Sequence, residues 1–166
     1  MTLTKYNLIF LLVLSCIHLV GQSITQTVPP WGYIFDDWEG SPIDVIVYIP
    51  PNAHELTPIL MVIPGASRDT QRFHASWLDI AKKKGFSVLT IGARKEYFPD
   101  EYSYNAGGVM LSTGEQVNKD KWLFSAIEPL FNDFKIRYGF ISDKFYLFGH
   151  SAGGGFVHRY LLLIDD

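Results

Sequence analysis

The chain has 166 residues, of which 48% are hydrophobic and 19% are charged, which is the composition of a globular protein with one core. Its net charge of −3 at pH 7 provides no basic surface of the kind that binds nucleic acid, so we exclude such a partner. Aromatic residues make up 15% of the chain, a content that favours a packed sheet core over a carbohydrate- or aromatic-binding cleft.

The first 23 residues have the pattern of a secretory signal peptide. Lys5 is the only charged residue among them, and an apolar run starts at Leu8 and fades by Val20. This run is too short for a stable membrane span, and the small residues Gly21 and Ser23 suit cleavage by a signal peptidase. We therefore expect the protein to be secreted or periplasmic.

Cys16 is the only cysteine of the chain, and it lies within the predicted signal peptide. Residues 13–16 loosely resemble a lipoprotein box, so a lipid anchor on Cys16 remains the alternative to plain secretion. Cleavage after residue 23 would leave a mature chain without a disulfide, a thiol nucleophile or a cysteine-bound metal. Residues 24–30 then form a linker, and residues 31–166 form one domain.

The first predicted elements are strands. Residues 31–35 and 43–49 are expected to form an antiparallel edge hairpin, with the turn at residues 39–42. A fully apolar strand follows at residues 59–63 and ends at Pro64 and Gly65.

A helix and a further strand follow this apolar strand. Asp69 is a good N-cap, and the residues of the expected buried face are Phe73, Trp77, Ile80 and Ala81. Lysines 82–84 occupy the last turn, where the helix dipole favours cations, and Gly85 ends the helix. A strand is predicted at residues 86–91. A strand, a helix and a strand at this spacing indicate a βαβ unit with parallel strands.

Residues 92–119 form a long irregular stretch, and loops of this length are more often functional than idle. A helical stripe of apolar residues then appears at Leu123, Ile127, Leu130, Phe134 and Tyr138. Pro129 interrupts the stripe, and residues 125–128 resemble a capping box, so we predict a helix that is kinked or begins late.

The segment at residues 144–153 carries the strongest functional signal. Residues 144–148 are an apolar run typical of a strand buried on both faces, and residues 154–162 are predicted to be helical. Between them lies a G-x-S-x-G sequence centred on Ser151, with Gly149 and Gly153 as its glycines. Strand, sharp turn and helix form the setting of a nucleophile elbow, which exposes the serine hydroxyl. Ser151 is therefore the candidate nucleophile, and the N–H of Ala152 is a candidate oxyanion donor.

A second oxyanion donor is expected in the loop that follows the third strand, at residues 64–68. Gly65 lets the backbone turn there, and the N–H of Ala66 is the first choice for the donor, with Ser67 as the second. The alternative interpretation of this segment is an ordinary turn that ends a strand.

No base and no orienting acid occur in the usual positions. They normally follow the nucleophile in the order acid, then histidine, but only fifteen residues follow Ser151. The histidines at positions 54, 74, 150 and 158 are each interpreted as surface or packing residues. The acids Asp165 and Asp166 would oppose the dipole of a helix that ends there.

The chain resembles the secreted α/β-hydrolase esterases related to poly(3-hydroxybutyrate) depolymerases. The resemblance covers roughly residues 43–164, and Pro64 departs from it, since such enzymes usually have histidine there. It depends on residues 64–68, Trp77, Tyr97 to Pro99, Tyr104 with Asn105, Trp122 to Pro129, and Gly149 to Gly153.

This resemblance implies the N-terminal portion of an α/β-hydrolase fold, with a mostly parallel sheet, an antiparallel N-terminal hairpin and flanking helices. It implies a serine hydrolase that cleaves small or polymeric carboxylic esters through an acyl-enzyme, without a metal or organic cofactor. It also implies that the chain is cut after the elbow helix and is therefore inactive as it stands. A peptidase of the same fold and a non-catalytic binding module that uses residues 92–119 remain as alternatives.

Overall fold

The computed structural model describes residues 32–164. The predicted signal peptide with Cys16, the predicted linker at residues 24–30, and residues 165–166 lie outside the described part of the chain. Within the described part, no helix combines the length and apolar character needed to cross a membrane. The strands are β1 (Tyr33–Phe35), β2 (Ile43–Tyr48), β3 (Ile59–Ile63), β4 (Ser87–Gly92) and β5 (Tyr146–Gly149). The α-helices are α1 (Thr70–Lys84), α2 (Ile127–Tyr138) and α3 (Ala152–Leu163).

The five strands form one mixed sheet in the order β1-β2-β4-β3-β5. The pairs β1–β2 and β2–β4 are antiparallel, which confirms the predicted N-terminal hairpin. The pairs β3–β4 and β3–β5 are parallel, as the predicted βαβ unit requires. Val62 of β3 lies opposite both Thr90 of β4 and Phe148 of β5, so β3 runs beside the strand that leads to Ser151.

Helix α1 connects β3 to β4 and follows the predicted boundaries. The Asp69 side chain accepts a hydrogen bond of 3.0 Å from the N–H of Arg72, and Gly85 ends the helix with φ of 72°. Ile80 is 45% exposed, contrary to the prediction, because it borders a cavity of about 250 Å³ beside β5.

The sheet lies between two helical layers. On one face, α1 covers a small cluster of buried residues formed by Val62, Ala81 and Val88. On the other face, α2 and α3 contribute to a larger core. The aromatic side chains of that core include Phe35, Phe124, Phe131, Phe134 and Phe156, each at most 2% exposed. The high aromatic content therefore fills a sheet core, as predicted.

Helix α2 begins late, at Ile127, after a 3-10 turn at Leu123–Ala126. The expected capping box is wrong, because the Ser125 hydroxyl donates instead to the carbonyl of Lys119 at 2.7 Å. Pro129 is the third residue of α2, where a helix N–H has no partner within the helix and a proline is tolerated.

Strand β5 differs from the prediction of a strand buried on both faces. Tyr146 is 68% exposed and Phe148 is 36% exposed. Within the described residues β5 pairs only with β3 and forms an edge of the sheet. Burial of a strand on both faces depends on neighbouring strands and helices. The apolar pattern of the strand itself does not show whether these neighbours are present.

Substitution of Tyr146 with lysine tests this exposed edge. An apolar edge strand is a template for pairing with another chain, and a lysine there opposes it. We expect Tyr146→Lys to lower self-association at least about twofold and to change the free energy of unfolding by less than about 1 kcal/mol. The measurement is sedimentation velocity over a concentration series.

The control is Ile136→Lys on α2, which adds the same charge at a residue that is 84% exposed. If Ile136→Lys lowered self-association equally, the cause would be the added charge and not the exposed edge strand.

His74 is buried in α1 and faces β4. Its Nδ1 lies 2.9 Å from the hydroxyl oxygen of Thr90, and burial lowers the pKa of His74 to about 4. The imidazole is therefore neutral in the folded protein at pH 7. In the unfolded chain the pKa of the same histidine returns to about 6.5.

This difference in pKa makes stability depend on pH. Between pH 6.5 and 4 the unfolded state binds more protons than the folded state, so the free energy of unfolding falls as pH decreases. We expect a loss of up to about 3 kcal/mol across this window from His74. Urea unfolding at several pH values should show a flatter profile for His74→Gln than for the wild type, and an unchanged profile would contradict the assignment to His74.

Candidate active site

The sharp turn between β5 and α3, which contains Ser151, is referred to as the elbow. Strand β5 ends at Gly149, Ser151 has φ of 54° and ψ of −115°, and α3 begins at Ala152. Among described residues other than glycine, Ser151 and Arg68 are the two with positive φ. Such a backbone costs about 1–3 kcal/mol and persists where the surrounding structure enforces it. The Ser151 side chain is exposed and caps no helix N–H.

The two elbow glycines are required by close packing. A Cβ on Gly149 would overlap the carbonyl of Gly153, and a Cβ on Gly153 would overlap the carbonyls of Ile63 and Pro64. The backbone of α3 therefore lies directly against the end of β3. Only a residue without a side chain permits this approach.

The loop at residues 64–68 lies beside the elbow. The N–H of His150 donates to the carbonyl of Ile63 at 3.4 Å, and a Cβ built on Gly65 would lie 3.3 Å from the His150 carbonyl. Of the backbone hydrogen bonds between described residues outside regular helices and strands, none has the N–H of Ala66 or Ala152 as donor. Neither N–H is therefore occupied by such a backbone hydrogen bond. The N–H of Ser67 is likewise unoccupied, so the choice between Ala66 and Ser67 stays a prediction.

Two residues that the sequence analysis did not single out as functional hold this loop. The Tyr104 hydroxyl donates to the carbonyl of Pro64 at 2.5 Å, and the Arg68 guanidinium lies 3.9 Å from the centre of the Tyr104 ring. Burial raises the pKa of Tyr104, so its phenol stays neutral near pH 7, and burial lowers the pKa of the Arg68 guanidinium. Both residues lie in segments that carry the family resemblance, but their contacts span 25 or more positions and leave no local pattern.

The histidines behave as the sequence analysis expected. The ring of His150 packs on Phe73 of α1, with ring centres 5.5 Å apart, and His158 is exposed on α3. His54 accepts from the N–H of Leu56, and His74 pairs with Thr90. Within residues 32–164 none of them forms a hydrogen bond or ion pair with a carboxylate.

Substitution of the second elbow glycine tests the packing against β3. Gly153→Ala places a Cβ against two backbone carbonyls that cannot move independently of the sheet, so we expect a loss of about 1–3 kcal/mol in the free energy of unfolding. The measurement is urea unfolding followed by circular dichroism.

The control is Gly154→Ala, one residue further along α3. Its Cβ would lie 3.3 Å from the Gly149 carbonyl, and alanine favours a helix over glycine, so we expect a change within about 1 kcal/mol. Equal effects of the two substitutions would contradict the close approach of Gly153 to β3.

Comparison with known proteins places the fold among esterases and related hydrolases. The poly(aspartic acid) hydrolase-1 of Sphingomonas sp. KT-1 is 34% identical, with a TM-score of 0.78 over 82% of this chain. A poly(3-hydroxybutyrate) depolymerase from Bordetella parapertussis is 26% identical, with a TM-score of 0.67 over 72% of this chain. A bifunctional acetylxylan esterase/xylanase of Neocallimastix patriciarum is 28% identical over 125 residues, or 73% of this chain. No protein-family model matches the sequence.

These similarities confirm the resemblance to depolymerase-like α/β-hydrolase esterases, and the described residues correspond to the N-terminal portion of that fold. The chain spans 52% of the poly(aspartic acid) hydrolase structure, 42% of the depolymerase structure and 16% of the acetylxylan esterase/xylanase.

Proposed function

We propose that this protein is a serine hydrolase that cleaves carboxylic esters through an acyl-enzyme on Ser151. The observation that carries the proposal is the strained backbone of Ser151 between β5 and α3, with an exposed side chain. Strained backbone conformations at residues other than glycine cluster at active sites, which supports a functional role for Ser151. The similarity to solved hydrolases and to an acetylxylan esterase supports the same reaction class.

In the proposed reaction the Ser151 Oγ attacks the ester carbonyl carbon while a general base takes the hydroxyl proton. The carbonyl oxygen becomes an oxyanion, which the N–H groups of Ala66 and Ala152 stabilise by about 3–4 kcal/mol each. The C–O bond to the alcohol then breaks, and the alcohol leaves with the proton held by the base. Water repeats the same steps on the acyl-enzyme and releases the acid and the free serine.

The general base and its orienting acid are proposed to lie outside the described residues. The histidines at 54, 74, 150 and 158 all have other environments, described above, and none pairs with a carboxylate. We also propose that residues 1–23 are a signal peptide that directs secretion or export to the periplasm. A lipid anchor on Cys16 is the alternative.

Amide hydrolysis is the second candidate reaction. The specific observation in its favour is the 34% identity to an enzyme that hydrolyses poly(aspartic acid), a polymer joined by amide bonds. The elbow and the two N–H groups serve acyl transfer to oxygen and to nitrogen equally, since both pass through a tetrahedral oxyanion. The two candidates therefore share Ser151 and differ in the leaving group.

Substitution of Ser151 tests the proposed nucleophile. In the gene product at its natural length, Ser151→Ala should remove p-nitrophenyl acetate turnover, a loss of about a millionfold in a well-studied serine protease. It should also remove labelling by a fluorophosphonate probe. The free energy of unfolding should change by less than about 1 kcal/mol, because the substitution deletes one hydroxyl. Residues 24–166 alone, which lack the proposed base, should hydrolyse the ester no faster than background.

Ser112→Ala serves as the matched control, because Ser112 is exposed in the long loop and should leave turnover and labelling unchanged. An active Ser151→Ala enzyme, or labelling at another serine, would contradict the assignment and favour the non-catalytic binding module. Ordinary turnover by residues 24–166 would contradict the proposed place of the base.

A further inference from the structure

We infer that Tyr104 and Arg68 are positioning residues, which hold the loop at residues 64–68 so that its N–H groups face the oxyanion. The inference depends on the proposed function, since it assigns those N–H groups to the oxyanion of the Ser151 reaction. Neither residue touches the reacting atoms. Each acts through the backbone of the loop.

Tyr104 ties the beginning of the loop to the rest of the core. Its side chain is 2% exposed, and its hydroxyl donates to the Pro64 carbonyl at 2.5 Å. Its ring lies 6.4 Å from the ring of Phe156 on α3. The Pro64 carbonyl is also one of the two groups that meet Gly153 of the elbow. A single hydroxyl therefore restrains the backbone at the place where loop and elbow touch.

Arg68 ties the end of the loop to the segment that follows β4. Its guanidinium donates to the carbonyls of Ala93 at 3.1 Å and Asp100 at 3.2 Å, and also to the carbonyl of Phe98. The planar guanidinium stacks over the Tyr104 ring at 3.9 Å, so the two side chains restrain each other.

The backbone of Arg68 supports the same inference. Its φ of 59° is unfavourable for a residue other than glycine, yet arginine occupies the position. A glycine would relieve the strain but would lose the contacts of the guanidinium. The strained backbone of Arg68 therefore occurs together with a side chain that donates three hydrogen bonds to backbone carbonyls.

Together the two contacts restrain the loop at both ends, with Ala66 and Ser67 between them. Oxyanion donors stabilise a transition state because they are already in place before the charge develops. A loop that is free at one end would still bind substrate, but its donors would spend less time in the productive position. The expected signature is a lower kcat with an unchanged KM.

The test compares Tyr104→Phe with Tyr102→Phe in the gene product at its natural length. Tyr104→Phe keeps the ring over which Arg68 stacks and removes only the hydroxyl, whereas Tyr102→Phe removes a hydroxyl from the same loop without affecting Pro64. With p-nitrophenyl acetate, we expect Tyr104→Phe to lower kcat about tenfold at constant KM. This is less than the hundred- to thousandfold effect of deleting a donor itself. Tyr102→Phe should match the wild type.

Hydrogen exchange measured by mass spectrometry gives a second readout that does not need activity. In the 166-residue chain, Tyr104→Phe and Arg68→Lys should each speed exchange of the N–H at residue 68, which donates to the Gly65 carbonyl at 2.9 Å, at least severalfold, while exchange in β3 stays unchanged. Arg68→Lys is informative because an ammonium cannot reproduce the planar set of donors or the stacking.

The outcomes separate this inference from the proposed function. If Ser151→Ala abolishes turnover but Tyr104→Phe leaves both kcat and exchange of the N–H at residue 68 unchanged, then the positioning role is wrong and the nucleophile stands. If Ser151→Ala remains active, then the proposed function is wrong, whatever the exchange data show. A rise in KM without a fall in kcat would also overturn the inference, because it would indicate a role in binding.

Discussion

The site depends on the direct contact between the backbone of the elbow and the end of β3. Gly153 meets the carbonyls of Ile63 and Pro64, and Gly149 meets the carbonyl of Gly153, with no space for a side chain at either glycine. This contact brings the first turn of α3 to the loop that follows β3. Packing between backbones thus places the elbow that contains Ser151 beside the loop at residues 64–68, and Ser151 has a strained backbone at this place.

The remaining structure keeps this contact in place. Phe156 of α3 packs edge-on against Phe124, with ring centres 4.7 Å apart, and both are almost fully buried. Tyr104 extends the same aromatic cluster to the Pro64 carbonyl. Packing in the hydrophobic core therefore holds α3 against the sheet. On the other side of the contact, the hydrogen bond from Tyr104 holds the loop at residues 64–68. The long segment after β4 takes part through Phe98 and Tyr104, which are buried at 5% and 2% exposure.

Elements with strong local signals could be predicted from the sequence. Asp69, the three lysines and Gly85 define both ends of α1 through interactions within a few residues, and the G-x-S-x-G pattern indicates the elbow in the same way. Features that depend on distant partners could not be predicted. The exposure of Tyr146 reflects the place of β5 in the sheet, and Ser125 bonds to the Lys119 carbonyl in preference to a helix N–H. Arg68 and Tyr104 belong to segments that carry the family resemblance. Their proposed positioning role depends on contacts with Pro64, Ala93 and Asp100, which are distant in the sequence.

The central claim is that the elbow and the loop after β3 form one oxyanion site around Ser151. A crystal structure of the natural-length gene product after reaction with a fluorophosphonate tests it most directly, because the adduct resembles the tetrahedral intermediate. We predict phosphorus bonded to the Ser151 Oγ, with one phosphoryl oxygen about 2.7–3.1 Å from the nitrogens of Ala66 and Ala152. An adduct on another residue, or a phosphoryl oxygen that points to solvent away from both nitrogens, would contradict the account.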